Sequence, residues 1–124
     1  MLKLTYTETG FHLERLMQSP EQLVALRVML AMRVGESIVV EPSSAAFLLP
    51  VKLSALDLLE AEVQGSDLEQ IVITTADADY VEVSLNGTWI NQGDDEEYGI
   101  FITTLSDRVE FLLAKLWNEV GCRV

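Results

Sequence analysis

The densest set of chemically capable side chains in the sequence is the run Asp94, Asp95, Glu96 and Glu97, within "NQGDDEEYGI". Hard cations take oxygen ligands, so a Ca²⁺ or Mg²⁺ site is the chemistry such a run would offer. A calcium loop, however, sets its acids at alternate positions, with Gly at the sixth and a bidentate Glu at the twelfth, because the backbone must wrap one ion. Adjacent side chains on an extended backbone point to opposite sides, so these four do not converge without a special turn. The second candidate, "DADYVE", begins with Asp77 and Asp79 but places Glu82 sixth and Thr88 twelfth. The expectation is therefore a solvated acidic loop whose like charges discourage edge-to-edge pairing. Asp94, Asp95, Glu96 and Glu97 remain the nearest candidates for a weak divalent site, and no cofactor is expected.

Other reactive groups are few. His12 is the sole histidine and lies in a segment that reads as a strand, where a surface or half-buried role is the simplest reading. Cys122 is the sole cysteine and follows a predicted helix, whose C-terminal dipole disfavours a thiolate nucleophile. There is no G-x-S-x-G, no phosphate-binding loop, no G-x-G-x-x-G and no Cys/His zinc spacing. Carboxylate pairs abound, but in so acidic a chain they carry almost no specificity.

The charge is 8 Lys and Arg against 20 Asp and Glu, a net −12. It is uneven: residues 1 to 62 hold 8 acids and 5 bases, residues 63 to 124 hold 12 acids and 3 bases. Affinity for nucleic acid comes largely from cations that displace counterions from phosphates, so this surface should repel DNA, RNA and anionic lipid. A basic protein partner is compatible with it, but the simpler reading is that the acids keep a rather apolar chain soluble. The lone cysteine precludes an internal disulfide and suits a reducing compartment. The opening residues lack the basic and apolar regions of a signal peptide, and the apolar runs fall far short of the roughly 20 residues that cross a bilayer. A cytoplasmic location is expected.

At 124 residues the chain has the usual length of one domain, and no linker, repeat or low-complexity tract divides residues 1 to 124. "LKLTYT" and "FHLERL" alternate in polarity around "ETG", where Gly10 can supply a positive φ, and read as a hairpin. "SPEQLVALRVMLAMRVG" is punctuated as a helix: Ser19 at the N-cap, Pro20 in the first turn, Gln22 completing a capping box and Gly35 at the stop. Leu23, Leu26, Leu30 and Val34 form its expected inward stripe. Val24, Val28, Ala31 and Met32 widen the apolar arc until the helix must be covered on two sides or lie at a subunit contact.

"SIVVE" (37 to 41) reads as a short strand ended by Pro42, followed by an irregular apolar connector through Pro50 and a short helix over 54 to 62. "LEQIVITTA" is a β-branched strand. In "YVEVSLNGTWIN" the Asn86-Gly87 pair predicts a type I′ hairpin, which would put Val81, Val83, Leu85 and Ile90 on the core face and Tyr80, Glu82, Ser84, Trp89 and Asn91 on the other. "YGIFITTL" (98 to 105) is a further strand. The last helix follows, with Ser106 as N-cap, Gly121 as stop, and a core stripe of Val109, Leu112, Leu113, Leu116, Trp117 and Val120. Hairpins without regular βαβ crossovers predict an α+β fold: an antiparallel sheet built from hairpins, with two main helices packed on one face.

The segments "MLKLTYTETGFHLERL", "ALRVMLAMRVG" and "EPSSAAFLLP" resemble a family of small uncharacterised cyanobacterial proteins, over about the first 50 residues. The resemblance implies a cyanobacterial cytosolic protein and carries no activity, cofactor or catalytic residue.

Abundant apolar surface with scarce reactive groups points to a non-enzymatic protein-interaction or regulatory module that self-associates, a homodimer being the simplest form. Tyr80, Trp89, Val28 and Met32 are its candidate partner-binding residues, since exposed aromatic and Met side chains are enriched at interfaces. For Trp89 the plainer alternatives are a covering second layer or a ring lying flat on its neighbours. The alternative function is a small-ligand or divalent-cation binding domain using clustered carboxylates.

Overall fold

The computed structural model describes residues 1–8, 10–65, 69–93 and 98–120. In chain order these form β1 (Leu2–Thr7), β2 (Gly10–Arg15), α1 (Pro20–Val34), β3 (Ile38–Pro50), α2 (Ser54–Gln64), β4 (Ile71–Thr75), β5 (Tyr80–Gln92), β6 (Gly99–Thr103) and α3 (Asp107–Val120). All strands join one antiparallel sheet in the order β2-β1-β6-β5-β3, with β4 also paired to β5. The α+β class and the opening hairpin are as the sequence predicts.

The Asn86-Gly87 hairpin is not. Residues 80–92 form one continuous strand, paired with β3 along its whole length from Tyr80↔Pro50 to Gln92↔Ile38. Its other edge is shared, β4 taking residues 81–85 and β6 taking residues 88–91. Asn86 and Gly87 lie where the neighbour changes. The Asn86 N–H donates to the Gln70 carbonyl at 2.7 Å, its side-chain amide to the Glu69 carbonyl at 3.1 Å, and its own carbonyl accepts from the Thr103 hydroxyl at 2.6 Å. Gly87 does not take the positive φ of a type I′ turn; a Cβ there would overlap the Ile102 carbonyl oxygen. The glycine answers a close backbone approach, and tertiary pairing overrides the local turn preference.

The true hairpin joins β4 to β5 through residues 76–79. The Asp77 carboxylate accepts from the Asp79 and Tyr80 N–H groups at 2.7 and 2.9 Å, the self-capping that suits Asp to turns. That use occupies one of the two acids weighed for a calcium loop.

The boundary expected at Pro42 is also corrected. β3 runs from Ile38 through Pro42 to Pro50 and absorbs the segment expected to be irregular. Pro lacks a donor for a ladder, but β3 is the last strand of the sheet, where only one side needs partners.

Registers assign the sheet's faces. Leu2, Leu4, Phe101, Val81, Val83, Leu85 and Leu49 face one side and form the main core with α2 and α3, which pack together there. From α3, Val109, Leu113, Leu116 and Trp117 are buried and Leu112 half-buried, as the spacing predicts. The side chain of Val120 lies outside the described residues, as do Gly121 and Cys122. The Ser106 hydroxyl accepts from the Val109 N–H at 3.3 Å, confirming the N-cap.

α1 lies over the opposite face, across Thr5, Ile38, Ile90 and Ile100. Its punctuation is as expected: Ser19 accepts from the Gln22 N–H, Gln22 returns the capping box, and Gly35 ends the helix at φ 73°, a left-handed conformation that glycine adopts without a Cβ clash. Its rotation is not as expected. Ala31 is buried and Leu23, Val24 and Val28 are half-buried, while Leu26, Leu30 and Val34 of the predicted inward stripe are exposed. No helix among the described residues is long and apolar enough to cross a membrane.

Candidate functional site

Among the described residues, the positions singled out in the sequence do not gather at one site. His12 is exposed on β2, its Nε2 3.3 Å from the Glu14 carboxylate. Asp94, Asp95, Glu96 and Glu97 lie outside the described residues. No group of three or more His, Cys, Asp or Glu among the described residues is placed to hold a metal. Tyr80 is exposed at the start of β5, on the face that α1 partly covers. Trp89 is on the core face: with no turn at Asn86-Gly87, odd-numbered residues of β5 share one side from Val81 to Asn91, and Ile90 moves to the other. Tyr80 and Trp89 are therefore separated by the sheet. The Trp89 indole lies so close over Gly99 that a Cβ there would collide with its ring.

On α1, Met32 is 75% exposed and Val28 turns partly toward the sheet. Around Met32 stand Leu26, Met29, Leu30 and Val34, all large, apolar and exposed. A helix that turns its smaller residues inward and its larger ones outward has its main hydrophobic surface unpartnered within this chain. Between α1 and the sheet a cleft of about 330 Å³ opens, walled by Leu30, Ala31, Val34, Ile38, Ile90 and Ile100, with Arg27 at its rim. Polar contacts edge it: the Gln92 amide donates to Glu36 at 2.6 Å and the Tyr98 hydroxyl to Glu8 at 2.6 Å.

The core face carries a second concavity, a trench of about 410 Å³ beyond the ends of the packed helices. Its walls are Tyr6 and Phe11 on one side and Phe47 on the other, with Trp89 and Phe101 beneath and Trp117 of α3 at the end. Trp117 stands edge-on to both phenylalanines, 5.8 Å from Phe11 at 79° and 4.8 Å from Phe47 at 84°. Glu41 lines the trench directly across from Trp89 and is the one charged residue among its described lining residues. The sequence reading missed this site, because ending a strand at Pro42 hid the fact that Glu41, Ser43, Ala45 and Phe47 share the core-facing side.

Among the described residues one carboxylate is fully buried. Glu110 of α3 pairs with the Met1 ammonium group and, at 3.2 Å, with Arg15 Nε, while Arg15 also reaches Asp107 at 2.8 Å. Two cations meet this acid, which ties α3 to the β1–β2 edge. Neither concavity reaches it.

The chain belongs to the Alr0857-like family, whose model matches residues 1–121. That agrees with the resemblance carried by the first 50 residues and extends it over almost the whole length. No curated protein and no solved structure matches.

Proposed function

We propose that this protein is a cytoplasmic, non-enzymatic interaction module that self-associates through the outward face of α1. The observation that carries the reading is the exposure of Leu26, Met29, Leu30, Met32 and Val34 on one helix. Two further observations support it. The chain exposes 7787 Å², about 1,200 Å² more than the surface expected of a folded monomer of this mass. That excess is comparable with the roughly 800 Å² each partner contributes to a standard interface.

Charge favours the same face. α1 bears Arg27 and Arg33 against Glu21, whereas the whole chain is −12, so two copies meet least repulsion where α1 leads. The same negative surface disfavours nucleic acid and anionic membrane as partners. Tyr80, on the side of the sheet that α1 occupies, belongs with Met32 to the docking side in this reading, and Val28 supports the helix from beneath.

Hydrogen exchange at low and high protein concentration tests the location of the contact. Amides of residues 21–34 gain protection as concentration rises, while those of α3 stay constant; protection that rises elsewhere and leaves α1 unchanged removes this face from the interface. The small-ligand alternative draws support from one observation, the aromatic trench.

A further inference from the structure

We infer that the trench on the core face is a binding site for a small organic monocation, a compound with an apolar body and one alkylammonium group. The site lies on the side of the sheet opposite α1 and is independent of the association reading.

The argument begins with why the trench is open. Between Glu41 and Phe47 the core-facing positions of β3 are Ser43 and Ala45, too small to fill the space above the sheet, and Trp89 and Phe101 form its floor. Farther along the same face the positions hold Leu49, Val81, Val83 and Leu85, which belong to the core formed with α2 and α3. The surrounding rings fix the chemistry of what enters. Phe11 and Phe47 stand nearly perpendicular to Trp117, and the Trp89 indole lies against Gly99, so aromatic groups bound the space in more than one orientation. Rings set at right angles offer both faces and edges, and their negative faces attract weakly hydrated cations such as substituted ammonium groups.

Charge selects the sign. Glu41 is exposed, lines the trench and has no base beside it among the described lining residues, and the field of a chain carrying −12 draws cations and repels anions. A volume of about 410 Å³ exceeds what a bare metal ion needs and falls within the roughly 300–1,000 Å³ of small-molecule pockets. The ammonium group sits between Glu41 and the Trp89 indole, with the apolar body toward Phe11, Phe47 and Trp117.

The chain's two tryptophans both line this trench, so intrinsic fluorescence reports its occupancy. Titration with benzyltrimethylammonium and choline, against 3,3-dimethylbutan-1-ol as the uncharged counterpart of choline, is the test. Saturable change with both cations, at least about 5-fold tighter for choline than for the alcohol, is the expected result. Glu41→Gln, at an exposed position that folding does not depend on, weakens the cations about 5-fold and leaves the alcohol unaffected. Tyr6→Leu, checked for an unchanged circular dichroism spectrum, weakens them through loss of one wall. Equal response to choline and the alcohol, no saturable response to any probe, or Glu41→Gln without effect would each overturn the assignment.

Discussion

Individual residues decide features that local sequence rules do not reveal. Gly87 and Gly99 are needed for space, one beneath the Ile102 carbonyl and one beneath the Trp89 indole. Gly99→Ala should therefore cost about 2–3 kcal/mol of stability, measured by urea denaturation, because the ring has to leave its seat. Gly87→Ala should cost at least as much, since its obstacle is backbone and cannot swing aside. If Asn86-Gly87 were instead a type I′ turn, alanine at 87 would act through backbone strain alone and the chain would tolerate it better. Glu110→Ala, which removes the buried partner of the Met1 ammonium group and one of the two partners of Arg15, should lower stability by about 2 kcal/mol in the same assay. None of these three constraints was legible in the sequence. A glycine required by a neighbouring strand looks the same as one required by a turn, and a buried Glu looks the same as a solvated one until the register is known.

Among the elements, helix ends were the most legible. Ser19, Pro20, Gln22, Gly35 and Ser106 act where their chemistry says they should, because capping is settled within a few residues. Ser19→Ala should accordingly cost about 1 kcal/mol, seen as faster amide exchange in the first turns of α1. The long strands were illegible for the opposite reason. β3 and β5 each run 13 residues because they pair with each other over their full lengths, a non-local fact that outweighs Pro42 in one strand and Asn86-Gly87 in the other. That single difference propagated: removing the turn reverses the facing of Trp89 and Ile90, which turned the expected docking aromatic into a trench lining. The rotation of α1 failed through a different assumption, that the largest apolar residues of a helix point inward.

At the scale of the molecule, a strongly acidic chain presents a nearly uncharged apolar helix on one side of its sheet and an aromatic trench on the other. Self-association of bodies carrying −12 each must work against their mutual repulsion, so salt should strengthen it: raising NaCl from about 20 mM to 500 mM should lower the dissociation constant roughly 10-fold. A contact held by ion pairs would weaken instead. Composition, charge and the lack of catalytic motifs already pointed toward binding over chemistry, but the surfaces proposed to bind emerged only with the fold. Sedimentation equilibrium of the wild-type chain beside Leu30→Glu, from about 1 to 500 μM, measures the claim most directly. The wild type should rise above the 13.8 kDa of one chain toward twice that mass while the variant stays at one chain's mass. A wild type that remains at 13.8 kDa throughout, or a variant that associates equally well, would contradict it.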